Sequence, residues 1–149
     1  MAIVDHIDTV SVKCLDFGSG PEPVLAELLK REFDWSVDIY DKFYATDRVY
    51  EGNIYDLITS TEVAEHLDDP LHYFRLFKEL LHQNGVLSIM TLFHPSSIED
   101  FTNWFYINDR SHISFYTPKT MKVIADIVGL DVLYCDENRY ITFSHACPP

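Results

Sequence analysis

Short apolar runs alternate along this chain with segments of helical period, and that alternation constrains the fold more than any other feature. SVKCLDF (11–17), WSVDIY (35–40), YDLITS (55–60) and GVLSIMTLF (85–93) have the length and composition of strands, and DRVYEG (47–52) reads as a short additional one. PEPVLAELLKREF (21–33) reads as a helix, with Pro21 in its first turn and Val24, Leu25, Leu28 and Leu29 as its apolar stripe. HYFRLFKELLHQ (72–83) is a second helix, begun near Pro70 and ended by Asn84-Gly85. IEDFTNWFYI (98–107) is aromatic and helical in period, and PKTMKVIADIVG (118–129) is a helix between Pro and Gly. LDVLYC (130–135) and RYITFS (139–144) form a closing hairpin. The order is that of an α/β protein with a mostly parallel sheet, and 149 residues suit one domain, 1–149.

The charge balance narrows the partners. Eleven Lys+Arg against 24 Asp+Glu give a formal net charge of −13, which repels phosphate backbones and anionic lipid. Nucleic acid is a poor match, and a small molecule or a cation is a better one. No apolar run is long enough to span a bilayer, and the start lacks the pattern of a signal peptide. Cys14, Cys135 and Cys147 are odd in number and show no CxxC spacing, so the expected location is a reducing cytoplasm.

In open α/β sheets ligands bind beyond the carboxyl ends of the strands. The unusual residues fall there: Gly18-Ser19-Gly20 after the first strand, Asp41 after the second, Thr61-Glu62 after the fourth, and Thr91 to His94 closing the fifth. Gly18 and Gly20 permit a tight turn and close approach of backbone to ligand. A dinucleotide fingerprint needs a third Gly where this chain has Pro23, and Asp16 and Glu22 oppose a pyrophosphate. A cationic nucleoside without phosphate avoids that repulsion. S-adenosyl-L-methionine (SAM) is one, and Asp41 is placed for a bidentate contact to its ribose diol.

VKCLDFGSGPEP resembles motif I of class I SAM-dependent methyltransferases, and YDLITSTEVAEHL with LLHQNGVLSIMT resembles their fourth strand, Glu-His segment and fifth strand. The resemblance runs from about residue 12 to the end of the chain. It implies a Rossmann-like three-layer sandwich with a mostly parallel seven-stranded sheet, its last strand antiparallel. Few residues precede the first strand, so the family's N-terminal covering helices are expected to be reduced or absent. Carried over by position, Asp16, Phe17, Gly18, Ser19, Gly20 and Thr61 line the cofactor and Asp41 holds the ribose. Asn53 is the candidate adenine contact. Glu22 stands where motif I has its third Gly.

TEVAEH (61–66) places Glu62, Glu65 and His66 at i, i+3 and i+4, on one face if helical. The spacing alone fits a metal site, an acid/base cluster or a solvated helix face. Within the family, ExxEH resembles the magnesium site of ubiquinone-biosynthesis O-methyltransferases and of 3′-terminal small-RNA 2′-O-methyltransferases. The latter add a His from an aromatic segment, and His112 in NDRSHISFYT lies at the matching place. The implied metal site is Glu62, Glu65, His66 and His112, for Mg²⁺ or another divalent cation. Its two imidazoles keep Zn²⁺, Mn²⁺ and Fe²⁺ open. His66 or His112 is alternatively the general base. Phe93, Phe101, Trp104, Phe105, Tyr106, Phe115 and Tyr116 suit either core or acceptor wall, with His94, Asp109 and Arg110 as polar neighbours.

The expected activity is methyl transfer to a small-molecule acceptor, on oxygen and metal-assisted, by a chain that acts alone or as a homodimer. Two other readings stand beside it: a non-catalytic SAM-binding or interaction module lacking a lid, and an RNA 2′-O-methyltransferase.

Overall fold

The computed structural model describes residues 11–146. Among them a six-stranded sheet runs in the order β2-β1-β3-β4-β6-β5. β1 is Lys13–Phe17, β2 Ser36–Tyr40, β3 Tyr55–Thr61, β4 Leu81–Met90, β5 Leu130–Cys135 and β6 Tyr140–His145. β1 to β4 pair in parallel; β5 and β6 pair antiparallel, as the predicted closing hairpin requires, and β6 lies antiparallel between β4 and β5.

Among the described residues four helices cover the sheet: α1 Val24–Phe33, α2 Pro70–Leu80, α3 Ile98–Thr102 and α4 Pro118–Val128. Alternate residues of each strand serve opposite faces. Leu15, Phe17, Ile58, Leu87 and Ile89 bury against Phe74 and Phe77 of α2 and Met121 and Ile124 of α4. Cys14, Val37, Leu57 and Val86 bury against Ala26 and Leu29 of α1. Three layers result, and every parallel strand delivers its carboxyl end to the same edge.

Several boundaries differ from the sequence reading. The sheet has six strands among the described residues instead of seven, because 47–52 folds as successive turns, with Glu51 N–H donating to the Arg48 carbonyl and Asn53 N–H to that of Tyr50. Helix α1 begins at Val24 with Pro23 at its cap, and Val24 is exposed rather than part of the buried stripe. Helix α2 ends at Leu80, before Asn84-Gly85. Strand β4 follows at once, and its register jumps between Leu81 and Val86, so the turn-forming pair makes a bulge within the strand. Residues 98–107 break into α3 and a 3₁₀ turn, Phe105–Asn108. The N-terminal cover and Cys147 concern residues outside those described.

Candidate active site at the strand ends

The turn after β1 is held from below. Gly18 and Ser19 N–H donate to the Tyr40 carbonyl at 2.7 and 3.1 Å. Gly20 N–H donates to Asp41 Oδ2 at 2.9 Å. All three amides are therefore spent inside the protein, whereas a phosphate-binding turn aims its amides at the ligand. Both glycines have positive φ, +88° and +70°. They differ in surroundings: a Cβ on Gly18 would collide with the Val63 side chain, while one on Gly20 would meet nothing within 4 Å. The opening of the turn thus lies over Gly20.

Negative charge gathers beneath that opening. Asp16 is 3% exposed, and burial raises its pKa above the ordinary value of 3.8. The hydroxyl of Thr59, donating at 3.1 Å, opposes that rise, and the nearby Asp41 carboxylate adds to it. Ser19 Oγ is buried without a hydrogen-bond partner. A desolvated acid short of a counter-charge, beside an orphaned hydroxyl and an open glycine, fits a cationic ligand such as the amino-acid end of SAM. Asp41 also accepts from Phe43 and Tyr44 N–H at 2.8 and 3.1 Å. Three backbone donors leave its carboxylate one lone-pair direction for a ribose hydroxyl, fewer than a bidentate grip requires.

Thr61 ends β3 at this edge, half-buried. Phe17 offers only its backbone, since its ring packs into the core on Tyr40 and Phe77 at 4.9 and 5.0 Å. Asn53 does not reach the edge. It precedes β3, accepting from Lys13 Nζ at 2.7 Å and donating to the Val49 carbonyl at 2.7 Å, at the amino end of the strands. The successive turns before β3 carry Asn53, the candidate adenine contact, to the far side.

The Glu/His segment is not a regular helix. Glu62 adopts a left-handed φ of +54° where β3 ends, and Ala64–His66 forms a single 3₁₀ turn. The side chains still converge, through a different mechanism. Ile113 and Ser114 N–H donate to the Glu65 carbonyl at 2.8 and 3.0 Å. The hydroxyl of Ser114 donates to the Leu67 carbonyl at 2.6 Å and that of Tyr116 to the Ala64 carbonyl at 2.8 Å. These bonds dock the segment bearing His112 onto the turn bearing Glu65 and His66.

The result is a small pre-arranged cluster. One ligand atom each from Glu65, His66 and His112 lies within 4.8 Å of the others. His66 Nδ1–H donates to the Ser111 carbonyl at 3.0 Å and His112 Nδ1–H to the Tyr106 carbonyl at 2.7 Å. A carbonyl only accepts, so both rings are fixed with Nε2 carrying the free lone pair. Glu65 is fully buried; its Oε2 accepts from Thr91 Oγ1 at 2.8 Å, while Oε1 has no partner and lies 3.8 Å from His66 Nε2. A buried carboxylate with an unpartnered oxygen, gathered with two imidazoles, is a donor set that could hold a divalent cation.

Glu62 lies beside this cluster rather than within its tight core, and its Oε2 accepts from the Tyr106 hydroxyl at 2.6 Å. Burial raises the Glu62 pKa, and the neighbouring Glu65 carboxylate adds to the rise. Asp109, exposed at the rim, comes within 3.7 Å of His112 Nε2. The anchoring by Thr91 and Tyr106 was not anticipated from the sequence. Its only signal there was the position of Thr91 at a strand end and of Tyr106 within the aromatic segment.

Rings run outward from the cluster. Tyr106 lies 4.1 Å from His112 and 4.9 Å from Trp104, Phe101 packs on Phe115 at 5.5 Å, and His94 packs on Phe101 at 5.6 Å. Phe105 is 68% exposed.

Sheet order, the glycine turn and the acids at the strand ends define the class: a Rossmann-like α/β domain with its ligand edge at the carboxyl ends of parallel strands. The sequence model of a family described as a methyltransferase domain matches residues 6–134. The chain belongs to that family. It is similar to the crystal structure of a candidate SAM-dependent methyltransferase from Methanococcus maripaludis, with TM-score 0.70 and 19% identity over 99% of this chain and 84% of that one. It is also similar to the mitomycin 7-O-methyltransferase MmcR, with TM-score 0.69 and 11% identity over 90% of this chain and 49% of that one. A third similar structure is a candidate methyltransferase from Haloferax volcanii in complex with the Trm112 methyltransferase activator, at TM-score 0.64 and 11% identity, covering 91% and 83% of the two chains. At these identities the likeness is one of fold, and this chain spans about half the length of MmcR. No curated protein sequence matches the chain significantly.

Proposed function

We propose that residues 1–149 form one SAM-binding domain that transfers a methyl group to a hydroxyl oxygen of a small molecule with the help of a divalent ion. The observation that carries this reading is the cluster at the edge: Glu65, His66 and His112 each bring a ligand atom within 4.8 Å of the others, and the buried Glu65 Oε1, 3.8 Å from His66 Nε2, has no hydrogen-bond partner.

Asp16, Ser19 and Gly20, with the backbone of Phe17 and Gly18, hold the amino-acid end of the cofactor; Asp41 and Thr61 border its ribose. Glu65, His66 and His112 hold the ion, with Glu62 as a fourth ligand. When bound, SAM supplies an electrophilic methyl group and the ion a Lewis acid that lowers the pKa of a coordinated hydroxyl. This chain's part is to orient the acceptor, to exclude water with the rings from Phe101 to Tyr106, and to offer Nε2 of His66 or His112 as a proton acceptor. Two nitrogen donors beside carboxylate suit Mn²⁺, Fe²⁺ or Zn²⁺ as well as Mg²⁺. The net charge of −13 favours a cation or an uncharged acceptor over RNA. No helix among the described residues is long and apolar enough to cross a membrane.

The test is methyl transfer from labelled SAM to a panel of small hydroxyl compounds, with and without chelator. The expected result is transfer that chelation abolishes and added ion restores, together with loss of ion binding in Glu65→Gln while SAM still binds. Transfer indifferent to chelator would remove the ion from the reaction.

A second reading draws on two observations: three backbone amides occupy Asp41, and Val63 packs against Gly18. Both favour a module that binds SAM only when a partner chain reshapes the edge; the similar Haloferax volcanii structure is a complex with a methyltransferase activator. SAM binding by the isolated chain would dismiss it.

A further inference from the structure

The geometry points to Tyr106 as a positioning residue that brings Glu62 into the ion's ligand set. The inference rests on the proposed ion site and goes beyond it, because Tyr106 is no ligand and touches neither acceptor nor cofactor in that reading.

The two carboxylates of the site are handled alike. Thr91 Oγ1 donates to Glu65 Oε2 at 2.8 Å and leaves Glu65 Oε1 facing His66. The hydroxyl of Tyr106 donates to Glu62 Oε2 at 2.6 Å and leaves Glu62 Oε1 unconstrained by it. The two hydroxyls lie 3.5 Å apart, and each donates to its own carboxylate. The same Tyr106 accepts His112 Nδ1–H on its carbonyl at 2.7 Å. One residue, 5% exposed, therefore orients ligands from two separate segments.

Glu62 needs such a guide more than the others do. It is exposed, its backbone is left-handed, and it stands outside the tight cluster of Glu65, His66 and His112. A long side chain in that position has many rotamers, and a short O–H···O bond selects among them before an ion arrives. The ring contributes separately: it packs on Trp104 and His112 and is unaffected by loss of the hydroxyl.

Tyr106→Phe keeps the ring and the carbonyl and removes only the hydroxyl. The experiment is a titration of the ion-free protein with Mn²⁺ and Zn²⁺, read calorimetrically, for wild type, Tyr106→Phe, Glu62→Ala and the double variant, with Tm recorded for each. The expected loss of affinity is roughly tenfold for Tyr106→Phe, the usual size for an outer-shell partner of a metal ligand, and at least as large for Glu62→Ala, which removes the ligand itself. The double variant is expected to be no weaker than Glu62→Ala, because the hydroxyl then has nothing to position. Thr91→Val, which acts on Glu65, is expected to add its loss to that of Glu62→Ala. Wild-type affinity in Tyr106→Phe, or losses that add between Tyr106→Phe and Glu62→Ala, would overturn the inference and leave the ion site standing. No ion binding by wild type would overturn both.

Discussion

Single residues at the edge divide into those the fold needs and those a ligand needs, and the two glycines show the division. Gly18→Ala puts a methyl group into the Val63 side chain at a positive φ, and is expected to destabilise the protein by roughly 2–4 kcal/mol. Gly20→Ala meets only open space, so its cost is the backbone strain of about 1–2 kcal/mol. Its larger effect is expected on SAM affinity, because the methyl group occupies the mouth of the turn. Denaturant melts together with SAM titrations of both variants separate the two outcomes. Asp16 carries the opposite compromise. Its folded pKa is raised, so its contribution favours folding at low pH and is lost as pH rises from 3.8 through the raised value. At neutral pH the ligand-free protein therefore holds a buried charge at a cost in stability. Asp16→Asn keeps an acceptor for Thr59 and is expected to raise Tm at neutral pH, to flatten the fall of stability with rising pH, and to weaken SAM binding. A lower Tm with unchanged SAM affinity would contradict this account of the residue.

At the scale of elements, the site depends on a docking that no single segment encodes. The 3₁₀ turn Ala64–His66 has no side-chain cap, and it is held by backbone bonds from Ile113 and Ser114 and by the hydroxyl of Tyr116. Tyr116→Phe leaves the buried Ala64 carbonyl without that donor, at an expected cost of about 1–2 kcal/mol. It is also expected to weaken ion binding, since the turn then holds Glu65 and His66 less firmly; thermal melts and ion titrations on one sample measure both. This dependence explains what the sequence could and could not convey. ExxEH promised convergence through helical spacing, yet Glu62 is left-handed and the segment is not a regular helix. The gathering of Glu65, His66 and His112 matches what the family resemblance implied, while Glu62 stands beside them. How they gather was not legible in the sequence, because it rests on main-chain bonds between distant segments, and such bonds leave no trace in side-chain pattern. The same limit applies to 47–52, whose strand-like composition gave way to turns, and to Asn53, carried by those turns to Lys13.

For the molecule as a whole, periodicity conveyed most of the architecture. The parallel core and the closing hairpin follow from which segments alternate and which repeat with helical period; the antiparallel last strand was implied by the family resemblance, and its place between β4 and β5 comes from the structure. Burial enforces that pattern on every strand, which is why it survives in the sequence while exact helix ends do not. A parallel sheet sends its ligand groups to one edge, and here that edge gathers buried acids short of counter-charge: Asp16 beneath the glycine turn and Glu65 before two histidines. Both deficits call for positive charge, one from the cofactor and one from an ion. The most direct measurement of that claim is a calorimetric titration of the isolated chain with SAM and with its demethylated, sulfonium-free product. The account predicts one site per chain for SAM, weakened in both Gly20→Ala and Asp16→Asn. Absence of SAM binding at millimolar concentration, or binding that both variants leave unchanged, would contradict it.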